Sequence, residues 1–501
     1  MRLRRSSGIL LHPTSLPGSY GIGDIGPQAR GWIDFLAEAG CSWWQLLPLG
    51  QTGYGDSPYQ CFSAFAGNPY LISPEALLAE GFLQLEDIED VPEFPEEQVD
   101  FGQLIPWKLA LLDRAYLRFE HSASSDLHFE LSDFSADQAD WLEDFALFMA
   151  LKEAHDGAPW SSWEEPLRWR DPQALASARL RLMEAVQRQI FRQFLFFRQW
   201  HNLHEYALRN GIGIIGDVPI FVAHDSADVW THPELFHLDR LGQPRVVAGV
   251  PPDYFSPTGQ LWGNPLYRWK AHRDNDYQWW LARLRATLNL VDFVRLDHFR
   301  GFCGYWEVPG KAKTAEKGRW ITGPGKDFFQ KVAQALGDMP FIAEDLGVIT
   351  PDVVALRELF DLPGMRVLQF AFGDNPKDAF LPHNYPVGCV AYTGTHDNDT
   401  ARGWYERVPD NEKAFYRRYL DRDGQNVAWD LIRACWSSVS VLAIAPMQDF
   451  LNLGNEARLN YPGNPTGNWS WRMKEEALNE ELAGKIREIN YLYDRIGGSL
   501  K

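Results

Sequence analysis

Three acidic residues stand where short apolar runs end. Asp297 closes VDFVRLD, Glu344 closes PFIAE and Asp397 follows VAYTGTH. They lie 47 and 53 residues apart, so each gap has room for one strand-to-strand crossover with its helix. Acids at the C-terminal ends of parallel strands converge on the mouth of a barrel. Paired carboxylates at such a mouth suit glycosidic-bond chemistry, one carboxylate as nucleophile and the other as general acid. Asp217, in GDVPIFVAHDS, adds a fourth acid at the end of a strand-like run.

The neighbours of these acids sharpen their chemistry. Arg295 precedes Asp297 by two residues and therefore shares its face of the strand. A guanidinium there keeps the carboxylate ionised, as a nucleophile requires. The same spacing also describes a plain structural ion pair. His298 and Arg300 are either ligands or satisfied polar groups. Glu344 follows an apolar lead-in, and desolvation at a strand tip raises a carboxyl pKa, which suits a general acid. The alternative is a helix cap, the preferred reading for Asp345. In GTHDNDT, His396 and Asp397 either reach sugar hydroxyls or belong to a polar turn, because Asn398, Asp399 and Thr400 are turn and cap residues.

Eight short apolar or β-branched runs predict strands at 8–16, 43–49, 213–220, 291–297, 340–344, 366–372, 388–395 and 439–446. Helices fit between them. Pro27 and Gly40 bracket one, with Trp32, Leu36 and Ala39 on a common face. Thr350-Pro351 opens another, and Gly337 ends a stripe of Phe328, Phe329, Val332 and Leu336. A last helix is expected over 473–496. Strand and helix alternating eight times predict a (β/α)₈ TIM barrel, an α/β fold in which 1–501 is one catalytic domain. Three insertions interrupt it. Residues 50–210 read as a largely helical subdomain, most clearly over 176–209. Residues 225–280 are rich in Gly, Pro and aromatics, and 303–325 carries GKAKTAEKGRW, expected to be a mobile loop. No internal repeat is seen, and no separate C-terminal β-sandwich is expected.

Composition narrows the partners. A net charge of −19 argues against a nucleic-acid surface and against docking on anionic lipid, so a neutral ligand is the natural inference. The five cysteines (41, 61, 303, 389 and 435) show no CxxC spacing, so neither a disulfide framework nor a zinc site is supported. The short basic start leaves no room for a signal peptide, and no apolar run is long enough to span a membrane. A reducing, cytoplasmic setting follows. The chain holds 21 Trp, 18 Tyr and 30 Phe. Most belong to a large core, but a minority in loops suit the flat C–H faces of sugars. Three loops stand out: GYGDSPYQ (53–60), PDYFSPTGQLWGNP (252–265) and NYPGNPTGNWSWR (460–472). The last offers Asn464, Asn468 and Trp469 either to sugar or to buried turns.

Taken in order, from LLHPTSLPGSYGIGDIG (10–26) to NPTGNWSWR (464–472), these segments resemble the 4-α-glucanotransferases, the amylomaltase or disproportionating-enzyme family of the α-amylase clan. The resemblance spans nearly the whole chain. It implies Asp297 as nucleophile, Glu344 as acid/base and Asp397 as transition-state stabiliser. It implies substrate contacts at Ser57, Tyr59, Asp217, Tyr254, Gln260, Trp262, Arg295, Asp374, His396 and Asn464, and a remote glucan contact at Tyr54. Tyr254 and Trp262 would overhang the acceptor side. Clan hydrolases usually carry Asn and His just after the third-strand Asp. Here VPIFV follows Asp217, a departure that amylomaltases share.

The implied reaction is transfer between α-1,4-glucans (maltooligosaccharides, amylose, glycogen) by retaining double displacement, with no metal or organic cofactor. Retention implies Asp297 and Glu344 carboxyls about 5–5.5 Å apart. An α-glucan hydrolase, a debranching enzyme's transferase part and a non-catalytic glucan-binding barrel are the rival readings. Oligomeric state is not legible.

Overall fold

The computed structural model describes residues 3–252, 256–464 and 466–497. Twelve strands are present among them. Eight form a closed parallel barrel: β1 (Ser6–Leu10), β2 (Trp43–Gln45), β3 (Gly213–Pro219), β6 (Phe293–Asp297), β9 (Phe341–Ala343), β10 (Gly364–Val367), β11 (Cys389–Tyr392) and β12 (Leu442–Pro446). The other four are β4 (Val246–Val250), β5 (Gln260–Pro265), β7 (Gly304–Pro309) and β8 (Arg319–Thr322). Neighbours in the barrel follow chain order, and β12 closes on β1. Every expected strand is found, each shorter than the apolar run that signals it. The (β/α)₈ barrel read from the alternation is the observed fold.

Side-chain alternation explains how the acids reach one place. Along β6, Phe293 packs inside the barrel while Val294 and Leu296 pack outside against the helices. The period of two then turns Arg295 and Asp297 inward above Phe293. Likewise Ile215 points inward on β3 beneath Asp217, and Ile342 on β9 beneath Glu344. The register pairs Asp217 with Arg295 directly across β3 and β6. Trp43 meets Phe293 edge-on at 5.5 Å inside the barrel, sealing it below the polar layer. Gly213 lies beside Trp43, where a Cβ would fall 2.5 Å from the indole ring.

The helices follow their sequence signals closely at their starts. Pro27–Glu38 and Pro351–Leu359 both begin on the expected prolines. Gly325–Leu336 ends on Gly337 at φ 75°, a left-handed closure that suits glycine. The last helix is shorter than expected, Glu480–Leu492, because Asn479 caps it by accepting from the Leu482 N–H. Five longer helices, Phe101–Ser122, Ser125–Asp137, Leu142–Ala154, Pro172–Arg181 and Met183–Arg209, fill most of the chain between β2 and β3. The run 176–209 is broken at Leu182, whose backbone leaves the helical region (φ −107°, ψ 19°). No described helix is long and apolar enough to cross a membrane.

One arrangement departs from the sequence reading. Residues 303–325 contain β7 and β8 rather than only a loop. They join β4 and β5 in a four-stranded antiparallel sheet of order β5-β4-β7-β8. The two insertions flanking β6 are thus one structure, paired across an intervening barrel strand.

Candidate active site

Arg295 organises the mouth. Its Nη1 donates to Asp217 Oδ2 at 2.5 Å and its Nη2 to Asp297 Oδ1 at 2.7 Å. Burial opposes the guanidinium charge, but the two carboxylates more than offset it and hold Arg295 well above its ordinary value. Burial raises the Asp217 carboxyl, with Arg295 pulling the other way. Asp217 was expected to touch sugar. Its side chain is buried and accepts from Arg295 and, at 2.9 Å, from the Tyr59 hydroxyl. Asp217 sits one register level below Asp297, directly across from Arg295.

Glu344 stands beside this pair. Its Oε2 accepts from the His298 N–H at 2.7 Å and its Oε1 from the Leu346 N–H at 3.1 Å. His298, directly after Asp297, adopts a left-handed backbone at φ 50°, which aims its N–H at the acid. Burial pushes the Glu344 carboxyl up to about 8, with Arg295 opposing and Asp297 reinforcing. A carboxyl of this kind is a proton donor at neutral pH. Burial also lowers His298 to about 4, so its ring is neutral there. Asp345, expected to cap a helix, instead accepts from the Met365 N–H at 2.7 Å and faces Arg357 and Arg366. Its side chain points outward from the barrel while Glu344 points in.

Asp397 completes the set from the loop after β11. Burial alone would raise it. The His396 ring at 3.3 Å and a 2.6 Å hydrogen bond from Asn460 Nδ2 outweigh that and hold it well below the usual carboxylate range. Arg458 donates to the Asp397 backbone oxygen at 2.5 Å. Thr400 caps the following helix, as its type suggests, and Asp449 ties the segment down through Thr393 and the Ala401 N–H. His396 stacks on Tyr59 at 5.1 Å, with Trp469 against both rings. Trp469 is buried, so it shapes this wall from behind.

Around the acids, Trp262 meets His298 edge-on at 4.8 Å, and Gln260 Oε1 accepts from its indole N–H. Ser57 Oγ accepts from the Tyr59 N–H and orients that residue. Asn464 and Asp374, expected to touch substrate, bond to other partners than the rim carboxylates, and Tyr54 was expected only as a remote glucan contact. Asn464 is exposed and makes backbone bonds in its loop. Asp374 is exposed and pairs with Arg418 at 3.0 Å. Tyr54 is 79% exposed on its own turn. Tyr254 lies outside the described residues. Among the described residues no group of three or more His, Cys, Asp or Glu could hold a metal ion.

Asn460 and Arg458 were not anticipated. They sit two apart in ARLNYP, and the alternation that signals a shared face was hidden by the loop composition around them. Asn460→Ala should lower kcat roughly tenfold or more by releasing Asp397, the scale of one charge-assisted hydrogen bond. Steady-state kinetics check this, and an unchanged kcat would deny Asn460 that role.

A barrel whose rim carries one guanidinium-paired carboxylate, one proton-bearing carboxyl and one strongly ionised carboxylate belongs to the glycoside-processing class. The chain belongs to the 4-alpha-glucanotransferase family, which matches residues 11–479. It is 53% identical to the 4-alpha-glucanotransferase of Thermus thermophilus over 99% of this chain and 100% of that one. Identity to the Synechocystis 4-alpha-glucanotransferase is 50%, covering 98% of each. Among solved structures, an amylomaltase from Streptococcus agalactiae in complex with acarbose superposes with a TM-score of 0.96 at 40% identity, over 99% of this chain and 100% of that chain.

Proposed function

We propose that this protein transfers segments of α-1,4-glucans to the 4-hydroxyl of glucose or of another α-1,4-glucan, by retaining double displacement. The observation that carries the reading is the gathering of three differently held carboxyls at one rim. Asp297 is bonded to Arg295, Glu344 accepts from the His298 and Leu346 N–H groups in a site whose burial raises its pKa, and Asp397 accepts from Asn460 beside His396, which holds it low.

In the first step Glu344 protonates the glycosidic oxygen as Asp297 attacks the anomeric carbon. The C–O bond breaks, the leaving glucan departs with the proton, and a β-glycosyl ester forms on Asp297. In the second step Glu344, now a carboxylate, takes the proton of an incoming 4-hydroxyl. That oxygen attacks the same carbon, Asp297 leaves, and the α-1,4 linkage is restored. Asp397 stabilises the positive charge of both transition states. Retention requires carboxyls of Asp297 and Glu344 about 5–5.5 Å apart. Neither step requires a metal or cofactor. We read the whole chain as one catalytic unit working in the cytoplasm.

Transfer has to outrun hydrolysis, so the acceptor must be positioned and water kept out. Trp262, on β5 and braced on His298, fits that task. Trp262→Ala is expected to raise the ratio of hydrolysis to transfer several-fold. An unchanged ratio at reduced rate would count against this role.

Incubation with maltotriose followed by chromatography tests the function itself. Glucose with a ladder of longer oligosaccharides is the expected outcome. Shortening alone would mean a hydrolase, and no change would mean a binding protein.

A further inference from the structure

We infer that Asp449, a buried acid just beyond the end of β12, is a positioning residue that sets the place of Asp397 by closing both ends of its loop on one carboxyl group. This deepens the transfer reading above and rests on it.

Asp397 stands midway in the segment 393–401, four residues from either end. Asp449 holds both ends. Its Oδ2 accepts from the Thr393 hydroxyl at 2.6 Å and its Oδ1 from the Ala401 N–H at 2.7 Å. Thr393 directly follows β11, and Ala401 opens the helix Ala401–Arg407. The two bonds therefore fix where the segment leaves its barrel strand and where it re-enters regular structure. The barrel register makes this reach possible: β11 and β12 are neighbours, with Tyr392 opposite Ile444, so the turn after β12 stands beside the start of the loop.

Between its anchors the segment is braced from within. The Thr395 N–H and hydroxyl both lie 2.9 Å from Asn398 Oδ1, which accepts from them, and the Asp397 N–H donates to the Thr395 hydroxyl at 3.3 Å. A loop tied this way carries a displacement of its ends to Asp397 rather than absorbing it. Gln369 Nε2 and Arg458 hold the middle, at the backbone oxygens of Asp399 and Asp397. Asp449 does something different, since it joins the two ends to each other.

The choice of an acid suits that task. Asp449 has no exposed surface, and burial raises its carboxyl to about 6, with the Ala401 N–H and the Thr393 hydroxyl opposing the rise. A carboxylate presents one oxygen to each donor at once, and bonds to an ionised acceptor are short and strong. Removing it would leave the Thr393 hydroxyl and the Ala401 N–H without these partners and let the two ends part.

Kinetics on maltotriose test the role. Asp449→Ala should lower kcat about 10- to 100-fold with KM within about twofold, the pattern of a slightly misplaced group that acts in the transition state. Asp449→Asn can keep both bonds, its amide oxygen accepting from Ala401 and its amide N–H donating to Thr393, and should recover kcat to within about threefold. An Asp397→Asn background has no carboxylate left to place, so adding Asp449→Ala there should lower the residual rate by no more than about twofold. The full loss repeated in that background would overturn the proposal, because Asp449 would then act elsewhere. An unchanged kcat in folded Asp449→Ala, or folded Asp449→Asn that fails to recover, would also overturn it. Circular dichroism identifies a variant that is merely unfolded. Should Asp449→Ala be one, Thr393→Val removes one of the two bonds and carries the test: kcat lower by about threefold or more supports the proposal, and an unchanged kcat overturns it. The unsubstituted protein's maltotriose ladder is the control. Its absence would refute the transfer reading itself, whereas its presence with an indifferent Asp449→Ala would refute only the positioning role.

Discussion

Asp297→Asn should lower transfer from maltotriose by roughly 10⁴-fold or more, the scale seen when a covalent nucleophile is removed. The substitution keeps the size of the side chain but removes the charge that attacks the anomeric carbon. It also turns an amide toward Arg295 Nη2, which now bonds Oδ1 at 2.7 Å. Arg295 retains Asp217 at 2.5 Å, so the guanidinium is not left without a counter-ion. The fold should persist with a stability loss of about 1–2 kcal/mol, one hydrogen bond to a charged group. Thermal unfolding and circular dichroism check the second half of this expectation. Substantial residual transfer in a folded variant would sink the assignment of Asp297 as nucleophile.

The second large effect concerns Glu344. Glu344→Gln should cost 10²–10⁴-fold, roughly, the usual share of general acid–base catalysis. The pH profile then separates a chemical role from a structural one. As the acid of the first step, Glu344 must carry its proton in the free enzyme. With its carboxyl raised to about 8, the active protonated form dominates below that pH and is lost above it. The kcat/KM of the unsubstituted protein should therefore fall as pH rises through about 8, approaching tenfold per pH unit beyond. Glutamine does not titrate, so this alkaline limb should vanish in the variant. A limb that persists in Glu344→Gln would assign the titration to another group.

The barrel was legible because its signals are local. Each strand is a short apolar run ending at a polar residue, and Pro27, Gly337 and Pro351 punctuate the helices. The inward march of Phe293, Arg295 and Asp297 follows from alternation alone. Long-range pairing was not legible. Nothing in GKAKTAEKGRW announces that the strand before it pairs with Val246–Val250, because the partner lies beyond a whole barrel strand. The same reason hides Asn460, which reaches Asp397 across 63 residues. Asp217 was identified as part of the mouth, yet its depth depends on register between β3 and β6, which apolar patterning does not encode. For Asp345 residue type misled: an Asp after a strand suggests a cap, but its outward direction put it among arginines instead.

The proposed reaction runs through a glycosyl ester on Asp297 that is discharged with the help of Glu344. Maltosyl fluoride tests this most directly with Glu344→Gln, since fluoride departs without protonation while the second step lacks its base. The expected result is a burst of one fluoride per protein, a mass increase of one maltosyl group, and the adduct on the peptide containing Asp297. Continuing fluoride release from a protein that stays unmodified, or an adduct on any other residue, would contradict it.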